Sequence, residues 1–204
     1  MRRTLAAIAL WVAAVAWPCR ATAAGAEPAS PVARPLDKWA LTVYGGIGSD
    51  SGIDRVFTFQ AHLEDAYMLD VGCSREVARW GDQVALEVEG QVAQHFKKQD
   101  HCEGNLLLSV RWMEFPWNDC VRTGVAVGEG ISYASSVPTI ERERSPGKTS
   151  RLLNYMMSEL ELAPPKQSRW SIVMRIHHRS GVGGLFNGVT MGSNILGVGM
   201  KYRF

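Results

Sequence analysis

From residue 39 onward, hydrophobic and polar residues alternate with a period of two in runs of strand length. That period puts successive side chains on opposite faces of an extended chain. The clearest run covers residues 83–93: Val84, Leu86, Val88 and Val92 share one face, and Ala85, Glu87, Glu89 and Gln91 the other. In residues 106–112, Leu106, Leu108, Val110 and Trp112 oppose Ser109 and Arg111. Met156, Leu160 and Leu162 oppose Glu159 and Glu161, and Trp170, Ile172, Met174 and Ile176 oppose Ser171, Arg175, His177 and Arg179. The C-terminal run sets Leu196, Val198, Met200, Tyr202 and Phe204 against Gly197, Gly199, Lys201 and Arg203. Weaker strands at 39–48, 66–75 and 121–132 bring the set to about eight. No helix-period segment of useful length, no repeat and no low-complexity tract interrupts them.

A soluble sandwich would show the same alternation with its apolar faces inward. Two features point to the opposite arrangement, with apolar residues facing lipid. The polar face carries charges of both signs, namely Glu87, Glu89, Arg111, Glu159, Glu161 and Arg175. A small closed barrel fills its interior with side chains, and opposed charges satisfy one another there. The final strand, ending on Phe204 with apolar residues at every second position, has the form of the C-terminal signal that outer-membrane barrels present to their insertion machinery, an expected partner. The expected fold is therefore an eight-stranded antiparallel transmembrane β-barrel over residues 38–204.

The connections fit that expectation. Outer-membrane barrels alternate short periplasmic turns with longer outer loops. Links at 81–82, 116–119 and 164–168 are short, whereas those at 46–64, 95–104, 133–150 and 181–193 are longer. An even strand count leaves both termini in the periplasm, so the penultimate strand runs outward and ends at Ser180 at the outer-leaflet level.

The N-terminus changes the charge balance. Arg2 and Arg3 precede an apolar run from Leu5 to Trp17 and then Ala21-Thr22-Ala23, a pattern that reads as a signal peptide over residues 1–23. Residues 24–37, rich in Ala and Pro, read as a mobile lead-in. The 204-residue chain has 22 basic and 20 acidic residues, a formal +2. Removing the three arginines of the leader leaves 19 against 20, near −1, so the basic excess carries no information about partners and a nucleic-acid-binding face is not expected. Of four cysteines, Cys19 lies in the leader and Cys73, Cys102 and Cys120 remain, too few for a disulfide scaffold.

The chemistry concentrates at one place. His178 and Ser180, two residues apart on the penultimate strand, share the lipid-facing side with Trp170, Ile172, Met174 and Ile176. Polar groups on such a face cost desolvation unless partnered. One reading places them in the polar interface above the hydrocarbon, where such residues are ordinary. The other makes Ser180 a nucleophile and His178 its base, with a third group needed to fix the imidazole. No Asp or Glu follows Glu161, so an orienter on the last strand must be an amide, and Asn194 shares the parity of Leu196.

The His178-x-Ser180 pair near the outward end of the penultimate strand is followed by the glycine-rich stretch Gly181 to Gly184 and one last strand ending in an aromatic residue. Over residues 170–204 this arrangement resembles the PagL-like lipid A deacylases. The resemblance implies an eight-stranded outer-membrane barrel that hydrolyses an ester-linked acyl chain of lipid A, with lipopolysaccharide as substrate, no cofactor, and an active site facing the outer leaflet. It implies His178 as base and Ser180 as nucleophile, and its glutamate slot falls at Asn194. The family usually has Asn after the Ser, where this chain has Gly181; backbone amides of Gly181, Gly183 or Gly184 are the expected oxyanion hole. The alternative is a barrel with a structural or lipid-binding role and no catalysis. A homodimer is among the assemblies a lipid-facing barrel allows, whereas a channel is not expected, because eight strands leave an interior that side chains fill.

Other residues are set apart by parity. His177 points into the barrel beside Arg175 and Arg179, in a structural role. Glu129, on the parity of Val125, Val127 and Ile131, is the carboxylate to consider if Asn194 is not the orienter, though strand five is distant in order. Trp39, Trp112, Trp117, Trp170 and Tyr202 read as an interfacial girdle. His95 and His101 flank Asp100 in a region with Lys97, Lys98 and Cys102 that reads as a solvated outer loop rather than a metal site, with the two lysines available to lipopolysaccharide phosphates.

Overall fold

The structure, a computed structural model, describes residues 38–49, 51–58, 60–165 and 168–204. The signal peptide and lead-in expected at 1–37 lie outside the described residues. Eight antiparallel strands follow in order: β1 (Trp39–Ser49), β2 (Leu63–Trp80), β3 (Val84–Lys97), β4 (Cys102–Trp112), β5 (Arg122–Ala134), β6 (Leu152–Ala163), β7 (Trp170–Ser180) and β8 (Gly192–Arg203). Each pairs with its sequence neighbours, and β1 closes on β8 from Ala40 opposite Arg203 to Ser49 opposite Asn194. Two short helices lie in connections, α1 (Ile53–Phe57) between β1 and β2 and α2 (Thr139–Arg144) between β5 and β6. No described helix is long and apolar enough to cross a membrane.

The faces are inverted relative to a soluble protein. Val92 is 66% exposed, Leu106 55%, Val127 54%, Ile172 54% and Val198 58%, whereas Glu89, Arg111, Glu159, Arg175 and Lys201 are buried. The inside is a lattice of ion pairs. Arg111 binds Glu87 in a bidentate pair (3.0 and 2.9 Å) and also reaches Glu159 (2.8 Å) and Glu161 (2.9 Å). Arg175 spans Glu89 (2.6 Å) and Glu159 (2.5 Å), and Lys201 also meets Glu159 (2.5 Å). Arg203 closes the set on Glu161. Four cations therefore face four carboxylates, the arrangement under which buried charges are tolerated. The girdle residues Trp39, Trp112, Trp117 and Trp170 are all exposed, and the Trp170 and Tyr202 rings pack at a tilt, with centroids 4.7 Å apart.

Turns follow local chemistry. The β2–β3 link is tight, and Gly81 adopts φ +58°, a conformation that costs glycine nothing. At the closing seam, Gly199 lies opposite Tyr44, and a Cβ there would sit 2.1 Å from the Val43 carbonyl oxygen.

One connection differs from expectation. Residues 95–104 do not form a long solvated loop: β3 runs to Lys97, β4 begins at Cys102, and the His95 N–H donates to the His101 carbonyl (2.9 Å). The ladder continues past the apolar belt, so inward parity carries His95, His101 and Glu103 into the barrel, where all three are buried. Polar residues had disguised a strand end, because a barrel's inner face is itself polar.

Candidate functional site

A single row of register partners crosses five strands near the C-terminal end of β7: Ser49 on β1, Asn194 on β8, His178 on β7, Met156 on β6 and Glu129 on β5. Directly cross-strand side chains on one face lie close enough to interact. His178 Nδ1 and Asn194 Oδ1 are 2.6 Å apart. The Asn194 amide cannot be flipped without loss, because its Nδ2 donates to the Ser51 carbonyl (2.8 Å). Oδ1 thus accepts, Nδ1 of His178 carries the proton, and Nε2 is left as the basic nitrogen. Asn194 is 1% exposed although its parity faces outward, because the segment after β1 folds back over it.

That segment is itself fixed. The Ser51 N–H donates to Ser49 Oγ (3.1 Å), and Ser51 Oγ accepts from the His62 N–H (2.9 Å). The Ser51 carbonyl is a supporting group that parity could not reveal, since it belongs to a loop 143 residues from Asn194.

Ser180 lies on the same face as His178, about 6.6 Å away at Cα by the strand rise. Among the described residues no hydrogen bond joins the two side chains. Ser180 is flanked in register by Gly192 on β8 and Asn154 on β6. Gly192 presents no side chain beside the hydroxyl on that flank. On the other, Asn154 Nδ2 donates to Glu129 Oε1 (2.5 Å). Glu129 is therefore nearer than its strand number implied: β5 is separated from β7 by β6 alone, about 9.6 Å at the usual strand spacing. It does not orient the imidazole, a position that Asn194 holds, but it anchors the amide beside Ser180. Asn154 was legible only by extending the even parity of Met156 two residues back.

After β7 the chain makes a tight turn through Val182–Gly184. The Gly181 carbonyl accepts from the Gly184 N–H (3.1 Å) and the Phe186 N–H (3.0 Å). The Gly184 amide is thus spent inside the turn, whereas the Gly181 and Gly183 amides make no backbone bond of this turn. A Cβ on Gly181 would lie 1.9 Å from the Val189 oxygen, so only glycine fits the close return of this loop.

Around the site, His177 faces inward as parity requires, its Nε2 at 2.8 Å from Glu103 and its Nδ1 at 3.2 Å from the Tyr44 hydroxyl. Lys98 is not a free cation: it pairs with Glu64 (2.7 Å) and Glu143 (2.8 Å), which hold it above its ordinary pKa. Cys73 and Cys102 are exposed free thiols.

No protein-family model matches the chain, and no curated protein matches it. Among solved structures, the outer membrane enzyme PagL is similar with a TM-score of 0.58 at 12% identity, covering 81% of this chain and 99% of PagL. Neisserial surface protein A is similar with a TM-score of 0.50 at 9% identity, covering 83% and 98%. At these identities the likeness is one of fold, the closed eight-stranded barrel of bacterial outer-membrane proteins.

Proposed function

We propose that the chain is an esterase of the outer leaflet that removes an ester-linked acyl chain from lipid A, with lipopolysaccharide as its substrate. The observation that carries this reading is the fixed tautomer of His178: Asn194, clamped by the Ser51 carbonyl, accepts a hydrogen bond from Nδ1–H and leaves Nε2 basic on the face that Ser180 shares. The His-x-Ser spacing at this strand end and the barrel likeness to an outer-membrane enzyme support it.

In the first step Nε2 of His178 takes the Ser180 hydroxyl proton as Oγ attacks the ester carbonyl carbon. Negative charge develops on the carbonyl oxygen, which the N–H groups of Gly181 and Gly183 would meet. When the carbon–oxygen bond to the sugar breaks, the imidazolium returns its proton to the departing alkoxide. Water, deprotonated by the same nitrogen, then releases the fatty acid and restores Ser180. The amide of Asn194 holds the ring but supplies no full negative charge to the imidazolium, so turnover is expected to be slow beside a carboxylate-oriented site.

A second reading is a barrel with a structural or lipid-binding role, and one observation favours it: Ser180 and His178 form no direct hydrogen bond. Mass spectrometry of lipid A from cells expressing the wild type, Ser180→Ala and His178→Ala separates the two. Loss of an acyl chain in the wild type alone supports the esterase. Identical lipid A in all three supports the second reading.

A further inference from the structure

We propose that the inner face of the β3–β4 hairpin holds a Zn²⁺ ion between His95, His101 and Glu103. The three side chains are buried, at 2%, 5% and 2% exposure, and their ligating atoms lie within 4.8 Å of one another. His95 Nε2 is 3.3 Å from Glu103 Oε2, and His101 Nε2 is 3.9 Å from the same oxygen. Neither contact has hydrogen-bond geometry. Both ring nitrogens of His95, Nε2 of His101 and Oε2 of Glu103 are buried without a hydrogen-bond partner. Orphaned polar atoms in such number are costly, and three of them, the Nε2 atoms of His95 and His101 and Oε2 of Glu103, face one another.

The geometry suits a small divalent ion. Ligands about 2.0–2.1 Å from a tetrahedral centre are about 3.3 Å apart, close to the first of these separations. The two imidazoles stack at 4.2 Å with an interplanar angle of 11°, so ion binding requires the rings to tilt until both in-plane lone pairs meet one centre. Two imidazole nitrogens and one carboxylate oxygen form a donor set for Zn²⁺ that leaves a fourth position for water.

The surroundings orient the ligands. Glu103 Oε1 is held by His177 Nε2 (2.8 Å), and His177 is in turn tied to the Tyr44 hydroxyl, so the carboxylate presents Oε2 to the two histidines. Arg179 lies 3.6 Å from the same Oε2, and its charge is balanced by Glu141 at 3.3 Å. All three ligands come from one hairpin, with His101 and Glu103 two residues apart on one face. A bound ion would therefore staple the β3–β4 tip at the barrel mouth, a role independent of His178 and Ser180.

The test uses full-length barrel refolded in detergent, in a Cys73→Ser/Cys102→Ser background that removes the exposed thiols. After stripping with EDTA, the protein is equilibrated with ZnCl₂, desalted and assayed for metal by mass spectrometry. One equivalent per chain is expected in this background, falling to none in His101→Ala and in Glu103→Gln, each checked for folding by its migration on unheated SDS gels. Co²⁺ loading of the parent should give visible d–d absorption of a nitrogen and oxygen site, a reading that needs no ligand variant to fold. No metal above buffer in the parent protein, or metal retained equally by the folded variants, would overturn the proposal.

Discussion

Replacing Asn194 with Asp tests the candidate site most directly, because it changes charge at nearly constant shape. In the native protein Asn194 Oδ1 lies 2.6 Å from His178 Nδ1 and Nδ2 lies 2.8 Å from the Ser51 oxygen. A carboxylate would face an imidazolium whose charge centre is about 4 Å away, worth about 4 kcal/mol at an effective dielectric of 20. His178 is half-buried, so half of that, about 2 kcal/mol, is a fair expectation for the transition state. At 1.36 kcal/mol per decade this is a rate gain of roughly 30-fold. The second carboxylate oxygen would meet the Ser51 carbonyl with no proton between them, costing about 1–3 kcal/mol of stability without entering the barrier. Asn194→Ala should instead slow acyl release by about 10²-fold or more as the ring loses its fixed tautomer. The assay is the initial rate of fatty-acid release from lipopolysaccharide in detergent micelles, run beside a urea titration. Equal rates for Asn, Asp and Ala at 194 would refute the role given to that amide.

Four further outcomes follow from the geometry. Glu159→Leu leaves Arg175 and Lys201 short of a buried counter-ion and should destabilise the barrel by about 3–5 kcal/mol, read as a lower urea midpoint in Trp fluorescence. Gly199→Val forces a side chain onto the Val43 carbonyl at the β1–β8 seam and should abolish the heat-modifiable folded band, whereas Gly90→Ala, with open space at its Cβ, should keep it. Glu129→Ala frees the Asn154 amide beside Ser180 and should lower the rate of acyl release while leaving the folded band intact, whereas an unchanged rate would remove Glu129 from the site. Burial raises the Glu141 carboxyl above 4.5 against the opposing pull of Arg179 and the Ser193 hydrogen bond. A raised carboxyl stabilises the fold fully below the unfolded value and loses that contribution as pH rises through the folded one. Protection of the α2 segment from proteolysis should therefore weaken upward from about pH 4.5, and Glu141→Gln should flatten the profile.

The sequence by itself determined the barrel and the face taken by residues of its regularly alternating strands. Period-two alternation is a backbone property, so the parity that put Glu87, Arg111, Glu159 and Arg175 inside and Leu106, Val127 and Ile172 outside needed no contact information. The same parity aligned His178, Ser180 and Asn194, because consecutive strands of the meander are neighbours in the sheet. Tertiary structure decided whatever joins strands distant in sequence or lets a loop fold back. The Ser51 carbonyl fixes Asn194 from the β1–β2 connection, and Glu129 reaches the site because β5 and β7 both pair with β6. His95, His101 and Glu103 look like a solvated loop in a linear reading, since a polar run carries no mark of whether it faces water or a barrel interior. Only closure of the sheet, which gives the polar face a volume to be buried in, distinguishes the two.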